Sequence, residues 1–265
     1  MLALRVSTAF FLLVLTLAVS LFHNAIYLPW LILIFHTFIL WEWIGLNKQS
    51  IYVKIFLCLL FVFSFLFLKT LENKFLIYEY LIFFGLLFWL FLSPYFVYRQ
   101  LIPLKFASLF IAYFCCLASV VSLNIILEKG LLFLLSVFFI AWIADTAAFI
   151  FGSFFGKKKL AVQISPNKTW EGVFGALIVS LFLTFIFVFL NFGWYALILE
   201  MYGLFFLVIL NLLVTIVSIY ADLFQSLLKR NCGVKDSGRI LPGHGGFFDR
   251  FDALISTTPI IAFLI

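Results

Sequence analysis

The chain has 265 residues, of which 66% are hydrophobic and only 11% charged, with a mean hydropathy of +1.26. An ordinary soluble domain is about 45–50% apolar and about 25% charged, so this composition excludes one and indicates a polytopic membrane protein. The formal charge of +6 comes with no soluble basic domain and no recognition motif, which argues against nucleic-acid binding.

Apolar runs of bilayer-spanning length, roughly 17–25 residues, follow one another along the chain. They predict helices at 7–22, 27–46, 51–68, 75–97, 105–127, 131–151, 173–193, 201–221 and 251–265, an all-α polytopic bundle of about nine transmembrane helices. The last run is barely long enough to cross and is expected to be short, tilted or partly inserted. Arg5 before the first run and Ala18-Val19-Ser20 near its end resemble a signal peptide, but the run has the length of a spanning helix and no exported domain follows, which favours a retained helix.

Residues 1–130 read as a Phe- and Leu-rich scaffold. Trp30, Trp41, Trp43 and Trp89 are expected near the membrane interfaces, as an aromatic belt places them. His23 and His36 are expected to make interfacial or interhelical hydrogen bonds, and Pro94 to close or kink the fourth helix. Cys58, Cys115, Cys116 and Cys232 have no metal-ligand spacing and read as small apolar residues rather than disulfide or zinc partners.

Charge sets the orientation. With the N-terminus in the cytoplasm and the helices alternating, Arg5, Lys48, Lys54, Arg99, Lys105, Lys157, Lys158, Lys159, Lys168, Lys229, Arg230, Lys235, Arg239 and Arg250 fall inside, against Lys69, Lys74 and Lys129 outside. One face is therefore strongly basic and attracts anionic headgroups and nucleotides.

Residues 131–265 hold the polar chemistry, gathered in two loops at 151–172 and 226–252 that this topology puts on the same side. Asp145 precedes the first loop inside an apolar helix, where an ionisable residue costs roughly 2.5–3.5 kcal/mol at the bilayer centre and less near its edge, so a functional role outweighs helix pairing. In the first loop, Lys157, Lys158 and Lys159 read chiefly as topological anchors. Ser165, Lys168, Thr169 and the amides near Gly172 suit phosphate oxygens, while Ser165 equally suits an N-cap and Thr169 with Glu171 a helix start.

In the second loop region Asp222 and Ser226 are four residues apart and share a helix face, followed within a turn by Lys229 and Arg230. Asp249 and Asp252, three apart, project together from the start of the last helix. Asp222, Asp249 and Asp252 are thus expected to converge on a hard cation such as Mg2+, against the plainer alternative that Asp249 and Asp252 cap a helix. His244 lies among Gly243, Gly245 and Gly246, which permit close backbone approach to a ligand, so it is either a phosphate or nucleotide contact or a structural histidine.

Ser226, Leu228, Lys229, Arg230, then Lys235 and Asp236, then Pro242, His244, Gly245 and Gly246, then Asp249, Arg250 and Asp252 resemble the C-terminal signature of the phosphatidate cytidylyltransferase (CDP-diglyceride synthase) family, without departure. Trp142 to Asp145 and the run from Ser165 to Gly172 resemble the same family, so the likeness extends over 142–252. It implies an integral enzyme of the bacterial inner membrane, with its active site facing the cytoplasm, that transfers CMP from CTP to phosphatidate. It also implies magnesium, a potassium ion beside it, and a homodimer in the lipid bilayer. On that reading Asp222, Asp249, Lys229 and Arg230 are catalytic; Asp222, Asp249 and Asp252 hold metal. Asp145, Ser165, Lys168, Thr169, Glu171, Ser226, Lys235, Asp236, His244, Gly245, Gly246 and Arg250 bind substrate.

Three rivals remain. A CDP-alcohol phosphotransferase requires an Asp-Gly pair, which the chain lacks. A polyprenol kinase-like enzyme also uses CTP on a membrane lipid and is distinguished by the fate of the α- and γ-phosphates. A transporter would line an ion path with Asp145 and Asp222, but the acids gather at one face and no repeated or broken helices are evident.

Overall fold

The computed structural model describes residues 27–72, 74–241 and 245–265. The expected first span with Arg5, the sequence Ala18-Val19-Ser20, His23, and the turn residues Pro242, Gly243 and His244 lie outside the described residues. The described chain is a helical bundle: α1 (Leu28–Leu46), α2 (Ile51–Thr70), α3 (Lys74–Arg99), α4 (Lys105–Glu128), α5 (Leu131–Phe155), α6 (Trp170–Phe189), α7 (Gly193–Asn231) and α8 (Phe248–Ala262). Seven of these, α1 to α7, are long and apolar enough to cross a membrane.

Two departures from the expected spans matter for function. The helix read at 201–221 runs on to Asn231, and its first turns are set off by a kink at Gly203, whose φ of +82° no β-carbon-bearing residue adopts easily. Beyond that kink α7 is about 42 Å long at 1.5 Å per residue, against a hydrocarbon core of about 30 Å. It is thus about 12 Å longer than a crossing needs, and its last turns hold Asp222 to Asn231.

The last helix differs more. α8 has only 15 residues and is buried from Asp252 to Ala262, packed against α1, α3, α4, α5 and α7. It is a central helix rather than a lipid-facing one. The Ser256, Thr257 and Thr258 hydroxyls are satisfied by carbonyls three or four residues earlier. Thr258 also meets Ser119 of α4 at 3.0 Å, and Ser119 meets His36 of α1 at 3.0 Å. His36 thus makes the expected interhelical hydrogen bond.

Pro94 does not close α3. A π-helical turn at Phe88–Leu92 stands just before it, and the helix continues to Arg99. The tryptophans divide. Trp30 is exposed, but Trp43 and Trp89 are fully buried, with Trp43 stacked on Phe248 at 4.6 Å and Trp89 edge-on to Phe224 at 6.0 Å. In a bilayer both the lipid face and the core face of a helix are apolar, so tryptophan position in sequence does not separate belt from core.

Between α5 and α6 the chain forms a two-stranded antiparallel hairpin, β1 (Lys159–Ala161) and β2 (Ser165–Thr169), where an all-α reading expected only loop. α5 and α6 approach closely above it. A β-carbon at Gly172 would lie 2.6 Å from the Ala148 carbonyl oxygen, and one at Gly175 would lie 2.2 Å from the Phe151 ring. The hairpin in turn packs against the C-terminal half of α7 through Lys168.

Candidate active site

Two clusters of charged side chains stand side by side where the hairpin, the end of α7 and the start of α8 meet. In the first, Thr169 is the N-cap of α6 and its hydroxyl accepts the Gly172 N–H at 3.2 Å. The residue before the cap is thereby aimed outward: the Lys168 ammonium crosses to α7, where it pairs with the Asp222 carboxylate and donates to the Ile219 carbonyl at 3.4 Å. Their side chains are 22% and 32% exposed, so the pair is partly solvated. Burial lowers the Lys168 pKa, but Asp222, with Asp145 and Asp252 beyond it, more than offsets this and holds it above the ordinary lysine range.

Lys168 and Asp222 stand on the wall of a cavity of about 460 Å³. Asp145, Lys159, Asn167 and Thr169 add polar groups, while Ala148, Phe149, Val173 and Ile219 supply an apolar wall. Asp252 is buried behind Asp222, with the two carboxyl groups within hydrogen-bonding reach of each other. Two such groups face to face need a proton or a cation between them, and hard divalent cations favour carboxylate and phosphate oxygens.

The second cluster centres on Asp249. One carboxylate oxygen accepts from Lys229 at 2.6 Å and from the Gln225 amide at 3.2 Å. The other accepts from the Ser237 N–H at 2.8 Å, the Ser237 hydroxyl at 3.0 Å and the Gly246 N–H at 3.0 Å. The Lys229 and Asp249 side chains are only 11% and 6% exposed. Every direction around this carboxylate holds a donor.

The structure therefore splits the expected metal trio. Asp222 and Asp252 face each other near Asp145, whereas Asp249 belongs to Lys229, and among the described residues no three His, Cys, Asp or Glu side chains close into a ready ligand set. The spacing of three on α8 is real, but Asp249 lies in the first turn, where the free backbone N–H groups of the preceding segment capture it.

The other candidates fall into distinct places. Ser165 lies within β2 and does not cap; Thr169 does. Glu171 accepts the Lys158 N–H on both oxygens, at 3.1 and 3.2 Å, tying the hairpin to α6. Arg230 donates to the carbonyls of Ile164 and Val234, both at 3.3 Å, so it clamps hairpin to helix end. Ser226 is buried in α7, and Lys235 and Asp236 are exposed on the following turn. Gly245, at φ +84°, accepts the Leu241 N–H at 3.0 Å, and Gly246 is buried. Arg250 is exposed on α8 and acts electrostatically on Asp145. The Lys168–Asp222 and Arg230–Ile164 contacts put the two polar loops at one end of the bundle, as the charge pattern predicted.

Sequence reading missed Glu42, Gln225 and Ser237. Glu42 of α1 is 3% exposed, and one of its oxygens accepts from the Ser237 hydroxyl and the Phe248 N–H, each at 2.9 Å. The signal was present: Glu42 is an acid inside a predicted span, where an ionisable side chain is as costly as it is at Asp145. Gln225 lies between Asp222 and Lys229 on α7, in the same polar stripe.

The sequence profile described as the cytidylyltransferase family matches residues 3–265. A phosphatidate cytidylyltransferase of Haemophilus influenzae is 42% identical over 134 residues, which cover 51% of this chain and 46% of that protein. One from Staphylococcus saprophyticus is 42% identical over 139 residues, covering 52% and 50%, and one from Staphylococcus haemolyticus is 41% identical over 139 residues, again covering 52% and 50%. The chain spans about half the length of the curated relatives it matches. With a family match over nearly its whole length and a lysine–aspartate centre beside paired carboxyl groups, the chain belongs to the cytidylyltransferase family.

Proposed function

We propose that this protein is a phosphatidate cytidylyltransferase: it transfers CMP from CTP to phosphatidate, giving CDP-diacylglycerol and pyrophosphate. One observation carries the reading. A cavity with an apolar wall has the Lys168–Asp222 pair on its polar side, so a charged phosphate and an acyl-bearing lipid can be accommodated together.

In the reaction a phosphatidate phosphate oxygen attacks the α-phosphorus of CTP in line, and the bond to the bridging oxygen breaks as pyrophosphate leaves. The attacking phosphate is already anionic at neutral pH, so positioning and charge compensation carry most of the work. Lys168, kept protonated by its carboxylate neighbours, contacts the CTP phosphates, and the Gly172 end of α6 adds its N-terminal dipole. Arg250 compensates charge from the α8 side. Lys229 and Arg230, both engaged in structural contacts, hold the neighbouring segments in place.

Asp222 and Asp252 are the residues that would hold Mg2+, with Asp145 near them, while Asp249 is engaged by Lys229. Held there, the ion would supply positive charge against that developing on the phosphates. A potassium ion beside it and a homodimeric assembly belong to the same reading. So do a total of about nine transmembrane helices, location in the bacterial inner membrane, and an active site open to the cytoplasm, where positive residues concentrate. A turnover assay in detergent with phosphatidate and each of the four common ribonucleoside triphosphates tests the proposal. Pyrophosphate release with CTP alone is expected, and equal release with all four would remove the cytidylyl assignment.

A further inference from the structure

We propose that Glu42 is a positioning residue for the reaction. It anchors Ser237 and Phe248 and, through Ser237, holds Asp249 and Lys229 beside the Lys168–Asp222 centre. The catalytic part of this inference rests on the cytidylyltransferase reading.

Glu42 is separated by some two hundred residues of chain from the segment it holds, and no cation is paired with it among the described residues. One carboxylate oxygen accepts the Ser237 hydroxyl and the Phe248 N–H; the other is buried with no hydrogen-bond partner among the described residues. Gly238 and Gly246 pack closely against the carboxylate. A β-carbon at Gly238 would lie 2.2 Å from one Glu42 oxygen, and one at Gly246 would lie 2.1 Å from the other, so any larger residue at either point would displace it. A side chain needed only for packing would serve better as leucine, because a buried carboxylate requires its donors in place.

Ser237 links Glu42 to the site. Its hydroxyl lies 2.9 Å from Glu42 and 3.0 Å from Asp249, and it has a single hydrogen for the two carboxylates. Whatever state Glu42 holds is therefore felt at Asp249, and from there at Lys229, 2.6 Å away, whose charge acts on Asp222. Glu42 does not line the cavity, which makes it a positioning rather than a catalytic residue.

The test uses purified full-length protein in detergent, with Glu42→Gln, Glu42→Ala, Ser237→Ala and the Ala double variant. Two quantities are read: kcat and KM for CTP, and the rate of trypsin cleavage after the exposed Lys235 and Arg239. Glu42→Ala should lower kcat and speed cleavage, each by about tenfold or more, with KM for CTP changed less than about threefold. Glu42→Gln keeps an oxygen for Ser237 and Phe248 and should stay within about threefold of wild type in both. The double variant should be no worse than Glu42→Ala, because the two residues act as one unit.

Wild-type cleavage in Glu42→Ala would overturn the proposal. So would a Gln variant as damaged as Ala, which would mean that the charge acts directly on substrate or ion. If Glu42→Ala does not fold, Ser237→Ala decides: faster cleavage with lower kcat supports the role, and wild-type values contradict it. If wild-type protein shows no CTP chemistry, the reaction reading fails, while the cleavage rates still decide whether Glu42 holds the segment.

Discussion

Asp249→Asn is conservative in shape and is expected to be costly. One oxygen of Asp249 faces the Lys229 ammonium and the Gln225 amide; the other faces two backbone N–H groups and the Ser237 hydroxyl. An asparagine must turn its NH2 toward one of these sets. Turned toward Lys229, it leaves a cation that is 11% exposed without its partner, a change worth about 3–5 kcal/mol in buried pairs. Turned the other way, it leaves the Ser237 and Gly246 N–H groups unsatisfied, at about 1–3 kcal/mol each. Either orientation costs about 3 kcal/mol, a fall of about 6 °C in melting temperature for a chain of this size. Asp222→Asn breaks a pair that is partly solvated, which costs at most about 1 kcal/mol, or about 2 °C. Lys229→Met should fall between them, because Asp249 keeps its uncharged donors. Thermal unfolding in one detergent, followed by tryptophan fluorescence and circular dichroism, measures all three. An Asp249→Asn variant melting within about 2 °C of wild type, or an Asp222→Asn variant falling as far, would refute the division into a structural and a solvated cluster.

Lys168→Ala should raise KM for CTP about tenfold or more while leaving membrane insertion and melting nearly unchanged, since its pair with Asp222 is partly solvated; wild-type kinetics would return the hairpin to an anchoring role. Gly175→Ala places a β-carbon 2.2 Å from the Phe151 ring and should cost about 1–3 kcal/mol of stability by forcing α5 and α6 apart, read as a lower melting temperature. Single cysteines at positions 168 and 240 should both be labelled from the cytoplasmic side of sealed vesicles; labelling of either from the opposite side would contradict the orientation.

The membrane class and most of the described spans were legible because hydropathy registers transfer free energy directly, and α1 to α6 begin and end within a few residues of the runs that predicted them. What hydropathy does not register is which apolar face meets lipid and which meets protein. Trp43 and Trp89 are therefore core residues where a belt was expected, and α8 is a buried central helix where a marginal span was expected. In the site, spacing rightly put Asp222, Ser226 and Lys229 along one stretch of helix, but partner choice among acids depends on donors from distant segments. Ser237 and Gly246 take Asp249 away from Asp252, and no helical periodicity encodes that. Glu42 was legible by its place in an apolar run; its partner was not, because the contact joins opposite ends of the chain.

The most direct measurement is the fate of CTP labelled separately at its α- and γ-phosphates, incubated with phosphatidate, Mg2+ and purified wild-type or Asp222→Asn protein. A cytidylyltransferase carries the α-label into lipid, releases the γ-label as pyrophosphate in equal amount, and loses nearly all of both in Asp222→Asn without losing its fold. Entry of the γ-label into lipid, or an unlabelled lipid and no pyrophosphate from folded wild-type protein, would contradict the assignment.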